Sequence, residues 1–263
     1  MDKIILQGIK FDAKSSYQKG ARKAPPLIRD ALFSGSMNLF SEDMVSMEDI
    51  GFLDKGDFHI EHYFDIGSIT DKHLAVHEKV LTLGGDHSIT YPIIKAFSKQ
   101  YPKLDILHLD AHADLYHSYD GDPYSHACPF ARIMEEKLAS RLVQVGIRTL
   151  NPHQTQQAKK YNVEIHSMRG LDITTIPKFE NPLYISLDMD VFDPAFAPGV
   201  SHHEPGGMTS RQVIELIHRI EANVVGADIV EYNPERDVQG MTAYLAAKIL
   251  KELLSKMANP SIS

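Results

Sequence analysis

Residues 104–114 read Leu104-Asp105-Ile106-Leu107-His108-Leu109-Asp110-Ala111-His112-Ala113-Asp114. The run from 104 to 109 has the length and aliphatic content of a buried strand. It passes directly into a segment with an acid or a histidine at every second position. Side chains of an extended chain alternate with a period of two, so Asp110, His112 and Asp114 share one face if the strand continues. In an open parallel sheet the carboxyl ends of the strands form the ligand crevice. This one stretch therefore predicts a buried strand with a polar site at its end.

The pattern recurs outward from it. Aliphatic and β-branched runs at 3–9, 79–83, 142–147, 183–187 and 223–230 predict further strands, and helical spacing marks 89–97, 130–138, 154–161, 210–220 and 242–256. Strand then helix, repeated, implies an α/β fold with a parallel sheet covered on both faces. Pro25 and Pro26 open a further helix through Leu27, Ile28, Ala31 and Leu32. Residues 34–75 lack a period, and the expectation there is a loop-rich connection with one strand near 44–47. No Pro/Gly-rich linker and no internal repeat divides the chain, so 1–263 is expected to be one domain.

Bulk properties exclude several functions. A net charge of -8 argues against a phosphate-backbone partner and favours a cationic small molecule. No apolar run approaches the roughly 20 residues needed to span a bilayer. The first ten residues lack the regions of a signal peptide, and a cytoplasmic location is expected. The one cysteine, Cys128, excludes an intramolecular disulfide and leaves a nucleophilic role open.

Four segments place acids or histidines directly after a predicted strand: Gly84-Gly85-Asp86-His87, Asp110 to Asp114, Asp188-Met189-Asp190, and Glu231. A lone Asp-x-Asp is usually a solvated turn, and a lone His after a strand is usually a packed residue. Carboxylates that follow apolar strands are costly to desolvate without a cation or hydrogen bonds. The clusters, with His87, supply four carboxylates and two imidazoles, more negative charge than one divalent ion needs, so two metal ions are expected. Oxygen-rich ligation with imidazole suits Mn²⁺, with Zn²⁺, Co²⁺ and Fe²⁺ as alternatives.

Gly84-Gly85-Asp86-His87-Ser88, the Asp110 to Asp114 pentad, Ser186-Leu187-Asp188-Met189-Asp190 running into Asp193-Pro194-Ala195-Phe196-Ala197-Pro198-Gly199, and Asp228-Ile229-Val230-Glu231-Tyr232-Asn233-Pro234 together resemble the successive signatures of the ureohydrolase (arginase/agmatinase) family. The similarity spans nearly the whole chain, from Gly20-Ala21-Arg22 to the last predicted helix. It implies a three-layer sandwich with a central parallel sheet of about eight strands, a binuclear manganese site, and a trimer or hexamer. It also implies that His87, Asp110, Asp114 and Asp188 hold one ion, that Asp110, His112, Asp188 and Asp190 hold the other, and that Asp110 and Asp188 bridge.

Two divalent ions can share one water and lower its pKa. The implied reaction is hydrolysis of a linear guanidino compound to urea and an amine. Glu231 is expected to orient the guanidinium, with a surface ion pair as the plainer reading. Asp114 or His126 is expected to protonate the departing amine. His126 lies in a segment with Ala127 where the family has glycine. His202 and His203 are expected near the pocket. The competing readings are a metal-free deiminase or amidinotransferase using Cys128 with His126, a mononuclear zinc deacylase, and a metal-binding regulator.

Residues 110–146 and 200–207 resemble plant-type arginases, which lie near the agmatinases. Agmatine is nevertheless the expected substrate over arginine. The loop 115–124 holds Asp120 and Asp122 but no Lys or Arg to pair an α-carboxylate, and Asn151 replaces an acid that animal-type arginases use for the α-amino group. Ser118 and similar donors keep the arginase alternative open.

Overall fold

The computed structural model describes residues 4–77 and 79–258. In chain order the elements are β1 (Ile4–Lys10), α1 (Ala24–Leu32), α2 (Met47–Ile50), β2 (Leu53–His59), α3 (Asp65–Leu74), β3 (Lys79–Leu83), α4 (Thr90–Gln100), β4 (Asp105–Leu109) and α5 (Pro129–Glu135). They continue as β5 (Arg141–Ile147), α6 (Pro152–Tyr161), β6 (Glu164–Ser167), β7 (Leu183–Asp188), α7 (Ser210–Arg219), β8 (Val224–Val230) and α8 (Met241–Ala258). Lys3, which the sequence assigns to the first strand, lies outside the described residues.

The eight strands form one sheet in the order β2-β1-β3-β8-β7-β4-β5-β6, parallel throughout. Strand periodicity sorts the apolar side chains between its two faces. Leu6, Leu81, Leu107, Leu109, Ile185 and Leu187 pack beneath α1, α7 and α8. Ile5, Val80, Ile106, Leu142, Tyr184 and Val225 pack beneath α3 and α4. Both faces being apolar, the inner strands read as continuous hydrophobic runs, as expected for a sheet covered on both sides. Local signals agree with the packing. Two prolines occupy the first turn of α1, and a reciprocal Thr209–Gln212 capping box starts α7.

The region 34–75 departs from expectation. No strand forms at 44–47: Phe40 and Ser46 make an isolated antiparallel bridge, and Ser46 caps the short α2. The strand lies later, at β2, and the helix α3 follows it. Neither is legible in the sequence, for one physical reason. β2 is an edge strand whose residues are only partly covered, so Leu53-Asp54-Lys55-Gly56-Asp57-Phe58-His59 carries no apolar run. α3 buries Ile66, Thr70 and Leu74, a one-face stripe interrupted by a hydroxyl. At the opposite edge β6 is half-buried and was missed likewise.

Sheet order makes neighbours of the four strands that end in candidate site residues: β3, β8, β7 and β4 are consecutive. Register completes the alignment, with Leu83 opposite Ile229, Asp188 opposite Val230 and Leu109 opposite Leu187. The turn after β3 is pressed against the end of β1. A Cβ on Gly85 would lie 1.7 Å from the carbonyl oxygen of Phe11, which itself accepts the Asp86 N–H at 2.9 Å. Backbone against backbone cannot yield as a side-chain tip can. Gly85→Ala is therefore expected to destabilise the fold by about 1–3 kcal/mol, the usual range for overpacking, measured from the urea midpoint; an unchanged midpoint would show that the turn has slack.

Candidate metal centre

The chain does not stay extended beyond β4. Asp114 has a positive φ of 49°, and the 110–114 segment turns. Asp110, His112 and Asp114 consequently do not share one face as alternation predicted. Asp110 and Asp114 turn toward His87, while His112 turns toward Asp190. Asp188 and Asp190 also leave the strand pattern, because Asp188 caps a one-turn helix by accepting the Asp190 N–H at 2.8 Å.

Two clusters result. Nδ1 of His87 lies 3.1 Å from Asp110 Oδ2, 3.2 Å from Asp114 Oδ2 and 3.1 Å from Asp188 Oδ2. Nδ1 of His112 lies 3.3 Å from Asp110 Oδ1 and 3.0 Å from Asp190 Oδ2. Asp110 thus presents one oxygen to each cluster. All six residues that the family resemblance implies as ligands meet here, in a place where only His112 is appreciably exposed.

Whether these residues fit metal ions can be judged from His87. Its Nδ1 is fully buried, faces three carboxylate oxygens and makes no hydrogen bond of acceptable geometry. The other nitrogen explains why. Ser186 Oγ donates to Asp228 Oδ1 at 2.7 Å, so it is left as acceptor for His87 Nε2–H at 2.9 Å. That relay keeps the proton on Nε2 and the lone pair on Nδ1, aimed among the carboxylates. Charge points the same way. Burial and repulsion from Asp190 and Asp110 push Asp188 well above the usual carboxylate range, and burial lifts Asp190 to about 6 against the pull of His112. Together the carboxylates hold more negative charge than the buried sheet end tolerates without cations. Oxygen and imidazole donors with no thiolate fit hard or borderline divalent ions.

Further residues belong to the site although sequence reasoning passed over them. His108, buried in β4, donates Nε2–H to Asp110 Oδ2 at 2.7 Å, accepts from Gln144 Nε2 at 2.9 Å through Nδ1, and stacks on Phe130 with ring centroids 3.9 Å apart. Extending the 110–112 alternation back by two residues would have found it. Asp228 and Ser186 lie inside the sequence motifs, where spacing alone assigns them no role. Asp228 also accepts from Thr90 and Tyr184, each at 2.8 Å.

Beside the clusters is a cavity of ≈ 180 Å³ lined by His112, Asp114, Asp188, Asp190, Glu231, His126, His202, Ser16, Tyr116 and Tyr119, among others. Glu231 enters it from β8 with φ at 61°, a strained conformation for a residue of this type. It is buried, not a surface ion pair: Oε1 accepts the His87 N–H at 2.9 Å and lies 2.9 Å from His126 Nδ1. Burial would lower the His126 pKa, but the hydrogen bond and charge of Glu231 raise it to about 9. His126 Nε2 lies 2.8 Å from Ser16 Oγ. His202 stacks on His126, with centroids 5.4 Å apart.

Other expected residues fall elsewhere. His203 is exposed and bonds the Pro198 carbonyl. Cys128 is buried, and burial pushes its thiol up to about 12, which removes it as a nucleophile at neutral pH. Asp122 pairs with Lys14 at 2.6 Å. Asn151 caps α6 and bonds the Tyr116 hydroxyl. Neither these two nor Ser118 and Asp120 line the cavity.

The relay behind His87 yields a metal-binding prediction. Ser186→Ala removes the acceptor for Nε2–H, and affinity for the ion at His87 should fall roughly 10–100-fold in a titration with Mn²⁺, the fold being intact by circular dichroism. Unchanged affinity would mean that the tautomer is set by something else.

A family model described as "Arginase family" matches residues 2–255. A mitochondrial arginase of Medicago truncatula is 44% identical, with 96% of this chain and 81% of that protein covered. An agmatinase of Bacillus anthracis is 33% identical, with 95% and 90% covered. Among solved structures, an arginase from Medicago truncatula superposes with a TM-score of 0.92 at 40% identity, covering 97% of this chain and 87% of that one. A proclavaminate amidino hydrolase from Streptomyces clavuligerus gives 0.89 at 31% identity, covering 99% and 93%. With a buried cluster of histidines and carboxylates beyond the ends of β3, β4 and β7 and relatedness over almost its full length, the chain belongs to the arginase family of metal-dependent amidinohydrolases.

Proposed function

We propose that this chain hydrolyses L-arginine to ornithine and urea. The observation that carries the reading is its identity to plant arginases, 44% against 33% for bacterial agmatinases over similar spans. This reverses the preference for agmatine. The sequence arguments for that preference carry over in part: among the described residues no Lys or Arg lines the cavity, which still favours agmatine, while Asn151 caps α6 and does not line it. An α-carboxylate would then be held by neutral donors such as the hydroxyls of Ser16, Tyr116 and Tyr119.

His87, Asp110, Asp114 and Asp188 are assigned to one ion, and Asp110, His112, Asp188 and Asp190 to the other, with manganese preferred for this oxygen-rich set. When bound, two such ions supply an activated water and offset the buried carboxylate charge. Glu231 binds and orients the guanidinium. The substrate group is a planar cation that stays protonated in water. With Oε1 occupied by His87 N–H and His126, Oε2 is left to accept from the guanidinium. His126, protonated at neutral pH, carries the proton on Nδ1 that the departing amine requires. Ser16 fixes the far side of its ring. Asp114 is the second candidate for that proton. His202 covers the His126 ring and narrows solvent access.

Two measurements test the assignment. With manganese present, kcat/KM for urea release from arginine should exceed that from agmatine at least tenfold, about 1.4 kcal/mol in transition-state binding; a tenfold preference for agmatine would overturn the substrate and leave the family intact. Glu231→Gln should keep two manganese ions per chain by elemental analysis while kcat/KM falls by about 2–5 kcal/mol, the cost of truncating one partner of a buried charge pair. Near-normal turnover would remove Glu231 from the reaction.

A further inference from the structure

Five carboxylates line the cavity, and four of them are matched. Asp114 and Asp188 face His87, Asp190 faces His112, and Glu231 faces His126. The fifth is Glu204. It is half-buried, and among the described residues its carboxylate makes no hydrogen bond and no ion pair. The basic groups near it are committed elsewhere. Arg148 spends its guanidinium on backbone carbonyls, reaching Glu204 O at 2.9 Å from Nε and 2.6 Å from Nη2, and Asp190 O at 2.6 Å. Arg236 donates to His203 at 3.2 Å.

The backbone around Glu204 is held from both sides. His203 bonds the Pro198 carbonyl at 2.7 Å, and Asp193 Oδ2 accepts the N–H groups of Gly206 at 2.7 Å and Gly207 at 3.1 Å. Arg148 Nη2 joins the Glu204 carbonyl to that of Asp190, tying this loop to the turn that carries a metal-cluster residue. A carboxylate on so constrained a backbone, in a cavity with four other acids and given no cation by the protein, is placed to take one from a ligand.

We infer that Glu204 is the specificity residue for the substrate's distal ammonium, the charge at the end of the chain away from the guanidinium. The inference rests on the reading of the site as a ureohydrolase centre, and it holds for arginine and agmatine alike because both carry that ammonium. The division of labour follows from placement. Glu231, beside the metal cluster, takes the reacting guanidinium, and Glu204, on the clamped loop, takes the tail. Binding through a remote group affects ground state and transition state alike, so its loss raises KM and leaves kcat nearly unchanged.

The test compares wild type and Glu204→Gln, both loaded with manganese, on arginine, agmatine and butylguanidine, which lacks the distal ammonium. For arginine and agmatine the variant should raise KM tenfold or more with kcat within threefold. For butylguanidine the two proteins should agree in kcat/KM or, where turnover is too slow, in the inhibition constant against arginine. An unchanged KM for arginine overturns the inference, as does an equal penalty with butylguanidine or loss of bound manganese from the variant, either of which would make Glu204 structural. Failure of the underlying reading looks different: wild type would then release urea from no guanidino compound at all.

Discussion

The constraint on which the structure depends is that carboxylates from separate strands converge on one imidazole nitrogen inside an apolar sheet. Three carboxylate oxygens within 3.2 Å of His87 Nδ1 are mutually repulsive and poorly hydrated, an arrangement that costs free energy until cations neutralise it. The fold tolerates it by distributing the acids over neighbouring strands. No strand carries the whole charge, and each acid comes just after the apolar stretch ends, so Leu83, Leu109, Leu187 and Val230 stay buried.

Behind the carboxylates, neutral and paired groups set their directions. The Asp228–Ser186–His87 relay and the Gln144–His108–Asp110 relay both end on an atom of the cage. In the first, His87 donates Nε2–H outward to Ser186, and in the second His108 donates inward to Asp110. Ligand orientation is thereby coupled to strand register: a slip of β7 against β8, at the centre of the sheet, would separate Ser186 from Asp228 and free the His87 tautomer. The same coupling explains why strain is tolerated at Asp114 and Glu231, whose positive φ values are held by the contacts their side chains make at the site.

Much of this was legible in the sequence because burial on both faces writes itself as continuous aliphatic runs. β3, β4, β5, β7 and β8 were found that way, and the ligating residues were found because acids after such runs are chemically anomalous. The edges were illegible for the converse reason. β2 and β6 bury too little to select apolar residues, so Asp54, Asp57 and Glu164 disguise them. Alternation also failed where the chain turns: Asp114 reaches His87 through a left-handed residue, and no period reports a single φ. His108 was the opposite case, an ordinary strand position whose importance comes from the two residues it joins, Gln144 across the sheet in β5 and Asp110 at the end of its own strand.

The substrate question shows how far composition reaches. The loop 115–124 offers no Lys or Arg to a carboxylate, and among the described residues none lines the cavity from elsewhere, Lys14 being paired with Asp122. The groups that line the cavity away from the metal cluster come from four segments: Ser16 near the N-terminus, Tyr116 and Tyr119 after β4, Thr149 and Gln154 after β5, and Glu204 before α7. Only Glu204 among these is charged. A pocket so built can hold an ammonium by ion pairing and a carboxylate by hydroxyls. Its discrimination between arginine and agmatine must then come from how well neutral donors replace the water around one carboxylate. Such replacement is strong only when every donor is correctly placed, because a site organised to hydrogen-bond a substrate group is left with unpaired polar atoms when that group is missing. On this argument a preference for arginine depends on the positioning of Ser16, Tyr116 and Tyr119 rather than on any added positive charge.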